Sequence, residues 1–547
     1  MTVYTSPFGD FDEELTSNNH GLLLRSAWAK NGRTTFTDAV SGLSYTGSDL
    51  AKLSKILVNS LHAVGLRAGD IVSICCLNTV RTPLLLSAIW SLNAVGSGLD
   101  FGFSADEYQD LTSVYEPRAF VCVKQNLSVA LQVREASSSI KWIIVLDDDS
   151  ENRTSSTESL VFSFGYLCVL DAKDAPEIEV QPDILAYMPR TSGTTGRSKA
   201  AMHTHRTLNA GVLMQSAPDV MPFDSDIVVL STSALHHVYC LFDVFASCSY
   251  RGFHFVHSQS NDAEIIMHTI ERYKVSAFFT TPYIVLSMLN LFKTGSEICG
   301  KVSLRSLKVL VTASNVFPED SLAYLRQCLP DLECFGNLYG QTEITAAFSH
   351  PFRGFHKCSA IGQVLSRGKF RIVDPNTLED LPVGSRGELL VKLPDQMIGY
   401  YKDPDAFEKS MVQDKWYRTG DICIVDDEGF VFLVDRLKEF IKTKFTTISP
   451  GEVEAKILQH PLVKDVAVLG LPHPILQNAL HAIIVPNSSG LDADAIHQFL
   501  AEKAPDIYKL EGGITFCEAI PRSDIGKLVR RNLLRWVLDR VTDSTPS

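Results

Sequence analysis

The chain contains 547 residues, which is more than one hydrophobic core accommodates, so two or more domains are expected. Hydrophobic residues make up 45% and charged residues 21%, which is ordinary for a globular protein with a large core. The formal net charge is -13 and the sequence contains no basic stripe, so a nucleic-acid partner is not expected.

The two termini and the cysteines favour a cytoplasmic protein. Residues 1–15 are acidic and lack the apolar segment of a secretory signal or a transit peptide. The twelve cysteines show no C-x-x-C spacing and lie mostly in apolar runs, so they are expected to be buried thiols in a reducing compartment. The C-terminal Thr545-Pro546-Ser547 is not the peroxisomal S-K-L signal.

Helix and strand patterns alternate along the chain. Residues 45–63 place five apolar side chains on one helical face, and a short apolar run follows at Ile71–Leu77. Further apolar strands are predicted at Trp142–Leu146, Ala277–Thr280 and Leu307–Val311. This alternation predicts buried, mostly parallel sheets with helices on both faces.

Residues 191–200, with the sequence TSGTTGRSKA, are suited to hold a polyphosphate. Glycines let the backbone approach an anion, hydroxyls add donors, and the final lysine adds charge. The spacing G-x-x-G-x-x-K differs from the Walker pattern G-x-x-x-x-G-K-[ST], which excludes the common kinase and GTPase loop. A flexible surface loop is the alternative interpretation. The candidate nucleotide-binding residues are Thr191, Ser192, Gly193, Thr194, Thr195, Gly196 and Lys199.

The second half of the chain contains one long apolar stretch and one change of pattern. Residues 227–253 are interrupted by charged and histidine side chains, which favours buried strand and helix over a membrane span. Residues 369–434 contain short strands separated by turn sequences, as in a small barrel or an antiparallel sheet. A polar segment at 436–438 follows, so we predict one domain at 1–435 and a second at 436–547.

Four further motifs follow the loop in order: Tyr339–Glu343 (YGQTE), Tyr417–Asp421 (YRTGD), Asp435–Glu439 (DRLKE) and Pro521–Lys527 (PRSDIGK). With the loop, they resemble the motifs of the adenylate-forming superfamily, which includes acyl-CoA synthetases, 4-coumarate-CoA ligases, beetle luciferases and the adenylation domains of peptide synthetases. The resemblance implies an α/β fold: a large N-terminal domain of two doubly wound αβα subdomains plus a small β-barrel, and a small mobile α+β C-terminal domain.

The same resemblance implies an enzyme that joins a carboxylic acid to ATP, releases pyrophosphate and then passes the acyl group to CoA. Glu343 would bind Mg²⁺, which prefers oxygen ligands. Thr342 would act at the α-phosphate, and Tyr339 would offer its ring to adenine. The alternative interpretations are a solvated loop glutamate at 343 and a core aromatic at 339.

The later motifs would complete the first reaction step. Asp421 would accept hydrogen bonds from both ribose hydroxyls, and Arg436 would act at the ribose or phosphate. Lys527 resembles the family's catalytic lysine, which contacts the carboxylate oxygen and the α-phosphate; an ordinary surface lysine is the alternative. Lys438 occupies the hinge position, which absorbs the backbone change between the two steps.

The predicted acyl pocket is less well defined. Gly340 would leave room for an acyl group larger than acetate, while residues 312–317 differ from the coumarate ligase pattern. A medium-chain, branched or modified acid is therefore as plausible as an aromatic one. His237 is also a catalytic candidate. The alternative interpretation is that it is a core histidine whose hydrogen bonds are made within the fold. The candidate pocket residues are His237, Tyr239, Gly336, Leu338 and Gly340.

The segment for the second step departs from the family pattern I-K-Y-K-G-F-Q. Lys442 is retained as a catalytic candidate, but Phe445 replaces the glycine that gives the pantetheine arm clearance. CoA is the expected acceptor. The alternatives are an acyl carrier protein loaded on its phosphopantetheine, and a pseudoenzyme that binds a nucleotide or acyl group without catalysis. A luciferase-like oxidase is a remote third possibility.

Overall fold

The computed structural model describes residues 2–543, except 76–78, 102, 152–153, 157–158, 192–198, 225, 315–316, 352–353, 438, 444–446, 474–476, 488–489, 505–507 and 523–527. The α-helices of the described residues are α1 (His20–Lys30), α2 (Gly47–Ala63), α3 (Arg81–Ser91), α4 (Ala105–Tyr115), α5 (Leu127–Ala136), α6 (Phe164–Val169), α7 (His205–Gln215), α8 (Ser247–Arg251), α9 (Ala263–Tyr273), α10 (Pro282–Lys293), α11 (Ile298–Lys301), α12 (Leu322–Cys328), α13 (Pro404–Ser410), α14 (Pro450–Ile457), α15 (Ala493–Lys503) and α16 (Arg530–Asp543). A π-helix spans Tyr239–Ala246, and short 3₁₀ turns span Glu13–Ser17, Lys124–Asn126 and Glu319–Ser321.

The strands of the described residues are β1 (Tyr4–Thr5), β2 (Thr35–Asp38), β3 (Ser44–Thr46), β4 (Ile71–Ile74), β5 (Val95–Gly98), β6 (Ala119–Cys122), β7 (Trp142–Val145), β8 (Thr154–Ser156), β9 (Ser159–Ser163), β10 (Leu185–Tyr187), β11 (Ala201–Thr204), β12 (Val228–Ser231), β13 (His254–His257), β14 (Ala277–Thr280), β15 (Val309–Ala313), β16 (Cys334–Gln341), β17 (Thr345–Ser349), β18 (Gln363–Val364), β19 (Lys369–Val373), β20 (Gly387–Lys392), β21 (Gly399–Tyr400), β22 (Met411–Val412), β23 (Trp416–Val425), β24 (Val431–Arg436), β25 (Ile441–Lys442), β26 (Thr447–Ile448), β27 (Val463–His473), β28 (Gln477–Pro486) and β29 (Ile514–Phe516).

The chain forms two compact units. The large unit comprises Tyr4–Phe370 and Val391–Tyr417, and the small unit comprises Met1–Val3, Arg371–Leu390 and Arg418–Ser547. The small unit therefore includes the whole predicted C-terminal domain together with residues that precede it. The domain boundary at residue 436 stays a prediction.

Two extended sheets organise the large unit. Among its described residues, one sheet has the order β21-β11-β10-β5-β4-β6-β7-β9-β8 and the other β18-β17-β16-β15-β14-β12-β13-β2-β3. The central strands of both sheets pair in parallel, and antiparallel strands lie at their edges. Because parallel strands need crossover connections, which helices provide here, the predicted α/β class is confirmed.

Helices cover both faces of the second sheet. On one face, Phe278 of β14 and Leu310 of β15 pack in a core cluster with Ile266 of α9 and Met288 of α10. On the other face, the ring of Phe255 of β13 meets Phe245 of the π-helix edge-on, with ring centroids 5.2 Å apart. Such two-sided burial explains why these strands are apolar without alternation.

Several predicted elements are confirmed with small shifts. The helix predicted at 45–63 is α2, which begins after a capping box between Thr46 and Asp49. The strands predicted from Trp142 and Ala277 are β7 and β14. The strand predicted at 307–311 is β15, which begins two residues later because the amide of Leu307 closes a turn onto the carbonyl of Leu304.

The apolar stretch 227–253 is buried strand and helix, as predicted: it contains β12, the π-helix and α8. Within the described residues, no helix combines the length and the hydropathy that a membrane span requires. The cysteines among the described residues are free thiols, and most of them are buried. Residues 369–434 form short strands, as predicted, and β23 pairs antiparallel with β24.

The small unit contains a long hairpin of β27 and β28, with β29 parallel to β28. On one face, Val466 and Val468 pack in a cluster with Val453 of α14 and Ile496 of α15. On the other face, Ala467 packs in a cluster with residues of α16. Alternate side chains of β27 thus enter two different cores, which gives the predicted α+β arrangement.

Candidate functional site

The ends of the predicted polyphosphate loop are held together. The amide of Thr191 donates to the carbonyl oxygen of Lys199 at 2.8 Å, and Arg190 forms an antiparallel bridge with Ala200. This stem leads directly into β11. The predicted loop residues Ser192, Gly193, Thr194, Thr195 and Gly196 lie outside the described residues.

A tight hairpin positions Thr342 and Glu343. β16 ends at Gln341 and β17 begins at Thr345, and these two residues are cross-strand partners. Thr345 adopts a φ of 43°, a left-handed conformation that is costly for a β-branched residue. The carbonyl oxygen of Thr342 accepts a hydrogen bond from Nε2 of His203 at 2.8 Å. The turn is therefore held from the side of β11, which carries His203.

Tyr400 joins two of the predicted site residues. Its hydroxyl donates to Oε1 of Glu343 at 2.8 Å, and Glu343 is only 9% exposed. The Nζ atom of Lys199 lies 4.9 Å from the centroid of the Tyr400 ring, within the range of a cation–π interaction. Burial, and then the charge of Glu343, raise the pKa of Tyr400, so its hydroxyl remains a proton donor at ordinary pH.

A second set of hydrogen bonds reaches Tyr339. The hydroxyl of Tyr417 donates to Oε1 of Gln341 at 2.9 Å, and Nε2 of Gln341 donates to the hydroxyl of Tyr339 at 3.2 Å. The Tyr339 ring also packs edge-on against Phe348, with centroids 5.8 Å apart, and the residue is 8% exposed. Tyr339 thus has a packing role, and its stacking on adenine stays a prediction.

In the small unit, the structure brings Asp421 and Arg436 together. They are direct partners in the register of β23 and β24, and Nε of Arg436 lies 3.2 Å from Oδ1 of Asp421. Asp421 is buried, whereas Arg436 is one third exposed. Lys442 is exposed on β25. Lys438 and Lys527 lie outside the described residues.

The predicted pocket residue His237 lies in a charge network that the sequence did not reveal. Oδ1 of Asp100 is 3.3 Å from Nε2 of His236 and 3.9 Å from Nε2 of His237, and Oδ2 is 3.4 Å from the Arg190 guanidinium. Burial acts to raise the pKa of Asp100, but the two histidines and Arg190 lower it to about 2. Since Arg190 already compensates this carboxylate and would repel a divalent cation, we interpret the group as a charge network.

The remaining pocket candidates lie in two elements. Tyr239 begins the π-helix, and its hydroxyl is buried with no hydrogen-bond partner among the described residues. Leu338 is buried on β16. A Cβ at Gly336 of the same strand would lie 3.0 Å from Cβ of His350, so this glycine allows close packing.

Gly340 has a structural role beyond the one predicted. The sequence suggests that its missing side chain leaves room for an acyl group larger than acetate. In the structure, a Cβ at this position would overlap the carbonyl oxygen of Thr345 on the facing strand. The glycine is therefore required by the close approach of the two hairpin strands. The predicted room for an acyl group larger than acetate stays a prediction.

Most of the chain matches one enzyme family. Residues 24–401 match the AMP-binding enzyme family, and residues 452–527 match the AMP-binding enzyme C-terminal domain. The chain belongs to the AMP-binding enzyme family. The predicted membership of the adenylate-forming superfamily is thereby confirmed.

Relatives of this AMP-binding enzyme cover nearly its whole length. It is 28% identical to 4-coumarate–CoA ligase-like 6 of Arabidopsis thaliana, over 99% of this chain and 94% of the relative. It is also 28% identical to 4-coumarate-CoA ligase 1 of Narcissus pseudonarcissus, over 94% of this chain and 92% of the relative.

Solved structures share its fold. ATP-bound MatB from Rhodopseudomonas palustris superposes with a TM-score of 0.83 at 22% identity, over 96% of this chain and 99% of MatB. The anthranilate CoA ligase AuaEII in complex with anthranoyl-AMP gives a TM-score of 0.83 at 20% identity, over 96% of this chain and 98% of AuaEII. These likenesses confirm the predicted fold class, with its large N-terminal and small C-terminal domains.

Beneath the hairpin, this AMP-binding enzyme buries two carboxyl groups. The side chain of Asp395 accepts a hydrogen bond from the Thr345 hydroxyl, and that of Asp243 accepts one from the amide of Ala346. Burial raises the pKa of Asp395 to about 8, and burial and the charge of Asp395 raise that of Asp243. Two neighbouring buried carboxyls are expected to hold protons at neutral pH, because neither charge is well solvated.

Asp395→Asn is expected to raise thermal stability, relative to the unchanged protein, more at pH 9 than at pH 5. The folded-state pKa of about 8 lies above the unfolded value of about 3.9. The stability contributed by the proton is therefore complete below about pH 4 and is lost as pH rises through about 8. Asparagine does not titrate and escapes this loss. Calorimetry at pH 5, 7 and 9 measures the difference, and a constant difference would contradict a buried neutral carboxyl.

Proposed function

We propose that this AMP-binding enzyme is an ATP-dependent carboxylic acid ligase, which forms an acyl-adenylate and releases pyrophosphate. The observation that carries the proposal is the connection of the buried Glu343 carboxylate, through Tyr400, to the Lys199 ammonium at the stem of the polyphosphate loop. A carboxylate for a metal ion and a cation for phosphate are the groups that this reaction needs close together.

In the first step, the acid's carboxylate attacks the α-phosphorus of ATP, and pyrophosphate leaves. Lys199 and the donors of loop 191–198 bind the triphosphate. The carboxylate oxygens of Glu343 are the kind of ligand that Mg²⁺ prefers, and a bound Mg²⁺ would neutralise phosphate charge. Thr342 lies next to Glu343 in the same turn and acts at the α-phosphate. Tyr339 contacts the adenine.

The small unit contributes further residues to the proposed mechanism. Asp421, oriented by its ion pair with Arg436, accepts hydrogen bonds from the ribose hydroxyls. Lys527 stabilises the negative charge that develops on the α-phosphate and the leaving group. His237 and Tyr239 line the acyl site. The charge network around Asp100 holds the His237 ring in position.

CoA is the proposed acyl acceptor, since relatives over nearly the whole chain are named CoA ligases. Lys442 is proposed to act at the thiol step, and Lys438 to be the hinge between the two steps. The substitution of Phe445 for glycine in the acceptor segment favours a second candidate: a ligase that loads the phosphopantetheine arm of a carrier protein.

Isotope exchange between pyrophosphate and ATP tests the first step. Medium-chain, branched and hydroxycinnamic acids are supplied one at a time, and at least one of them should support exchange. ATP binding without exchange for any acid would instead indicate a nucleotide-binding protein without ligase activity. Mass spectrometry of reactions containing CoA, or a carrier protein with its phosphopantetheine arm, then identifies the acceptor.

Phe445→Gly is expected to raise the rate of thioester formation from CoA several-fold, while the exchange rate stays unchanged. The reason is that glycine at this position gives clearance to the pantetheine arm. Single-turnover transfer from pre-formed acyl-adenylate to CoA measures the effect. If transfer is equally fast in both proteins, Phe445 does not obstruct CoA, and the carrier-protein candidate loses its support.

A further inference from the structure

We propose that Tyr400 is a positioning residue that orients the carboxylate of Glu343 towards a divalent metal ion and holds Lys199 beside it. This inference rests on the proposed function, because it takes Glu343 as the metal ligand. Neither the loop motif nor the Y-G-Q-T-E motif contains Tyr400, which follows Glu343 by 57 residues. It acts through two other side chains and has no direct chemical role.

The backbone fixes Tyr400 relative to both partners. On one side, β21 pairs antiparallel with β11, and Tyr400 lies opposite Ala201, two residues after Lys199. On the other side, the amide of Met397 donates to the carbonyl oxygen of Glu343 at 2.8 Å. The segment 397–400 therefore bridges the stem of the loop and the hairpin, and its geometry sets the separation of their side chains.

The hydroxyl and the ring of Tyr400 contact different residues. The hydroxyl donates to Oε1 of Glu343, and such a bond to a ligating carboxylate fixes which oxygen faces a metal. The ring lies 4.9 Å from the Lys199 ammonium, which is attracted to its face. One rigid side chain thus places a carboxylate and a cation at a fixed spacing. A metal-bound triphosphate presents the complementary pair of charges.

The hydrogen-bond network around Tyr400 supports this role. The Tyr417 hydroxyl lies within hydrogen-bond reach of both the Tyr400 hydroxyl and Oε1 of Gln341, and its one proton is donated to one of them at a time. Gln341 in turn donates to Tyr339. Since rotation of Tyr400 would break its hydrogen bond to Glu343 and move its hydroxyl away from Tyr417, its side chain is held in one orientation. Such preorganisation is what a support for metal and phosphate ligands requires.

Metal affinity, measured without turnover, tests the proposal. Mn²⁺ serves as the probe, with α,β-methylene-ATP as a nucleotide that cannot release pyrophosphate, and free Mn²⁺ is followed by electron paramagnetic resonance. Tyr400→Phe keeps the ring and removes the hydroxyl, and it should weaken Mn²⁺ binding by about 10–100-fold, as loss of an orienting hydrogen bond does. Unchanged Mn²⁺ affinity would overturn the proposal.

The neighbouring tyrosine provides a matched control. Tyr401 also has an ammonium group over its ring, with Nζ of Lys402 5.5 Å from the centroid, and its ring packs edge-on against Tyr115. Tyr401→Phe should leave Mn²⁺ affinity unchanged. Thermal unfolding of both variants separates folding from positioning: a purely structural role for Tyr400 predicts a lower midpoint with normal Mn²⁺ affinity, which would also overturn the proposal.

Glu343→Gln distinguishes a failure of this inference from a failure of the proposed function. If Tyr400 acts through Glu343, adding Tyr400→Phe to Glu343→Gln should weaken Mn²⁺ binding no further. If Glu343→Gln alone leaves the affinity unchanged, Glu343 is not the metal ligand, and this inference fails together with the metal role that the proposed function gives to Glu343, whereas the exchange assay still decides the ligase activity. If Glu343→Gln weakens binding and Tyr400→Phe does not, only the role of Tyr400 is wrong.

The ring is tested separately from the hydroxyl. Tyr400→Leu removes both, so nucleotide affinity measured in the absence of metal should fall by about two- to fivefold relative to Tyr400→Phe, because the attraction for Lys199 is lost. Lys199→Met should abolish this difference between the phenylalanine and leucine variants. A difference that persists in the Lys199→Met background would show that the ring does not act through Lys199.

Discussion

Glu343→Gln is expected to lower the acid-dependent exchange of pyrophosphate with ATP by on the order of 10²–10³. The amide has nearly the same shape and can still accept the Tyr400 hydrogen bond, so the change removes mainly the negative charge. A neutral oxygen is a weaker ligand for Mg²⁺. Exchange rates measured over a Mg²⁺ titration should show partial recovery at high metal concentration, because weakened binding is overcome by mass action.

A second buried glutamate provides the control for Glu343. Glu388 is 1% exposed and pairs with the Arg418 guanidinium in the small unit. Glu388→Gln should lower the unfolding temperature, because it leaves a partly buried arginine without its counter-charge. The Mg²⁺ dependence of exchange should not change. An equal shift in metal dependence for both variants would mean that the effect at Glu343 reflects stability and not metal binding.

Lys527→Ala is expected to cost on the order of 10²–10³ in the rate of adenylate formation, roughly 2.7–4 kcal/mol of transition-state stabilisation. A lysine that meets charge developing on the α-phosphate and the leaving group contributes mostly in the transition state, so kcat should fall while KM for ATP changes little. Rapid-quench measurement of acyl-adenylate, under single-turnover conditions, isolates this step from the later transfer.

Lys503, exposed near the end of α15, is the matched control for Lys527. Lys503→Ala should leave both kcat and KM unchanged, since exposed lysines contribute little. A raised KM with normal kcat in Lys527→Ala would assign Lys527 to ground-state ATP binding. Normal values of both constants would make it an ordinary surface residue and remove it from the proposed mechanism.

The regular parts of the fold are predictable because local patterns specify them. The helical face of residues 45–63 and the apolar runs at Trp142 and Ala277 correspond to α2, β7 and β14. Strand ends are less predictable, since they depend on turns: β15 starts only after the turn that Leu307 closes. Short apolar runs show which segments are buried, whereas turn hydrogen bonds decide where each strand begins.

The candidate site is only partly predictable. Sequence motifs identify four site residues: Lys199, Glu343, Asp421 and Arg436. The structure connects Lys199 to Glu343 through Tyr400. It also pairs Asp421 directly with Arg436. The supporting residues lack a local signal. His203 contacts Thr342 across 139 positions, and Asp100 contacts His236 across 136. Such partners are chosen by the three-dimensional path of the chain, which motif spacing does not encode.

The Gly340 hairpin has a consequence for redesign of this enzyme's selectivity. An aromatic side chain introduced at residue 340 would push against the main chain of Thr345, and the displacement would pass to the turn that carries Glu343. We therefore expect an aromatic residue at this position to lower turnover by displacing Glu343. Tyr239 is a better starting point, since exchanging its buried hydroxyl for hydrogen disturbs no strand pairing.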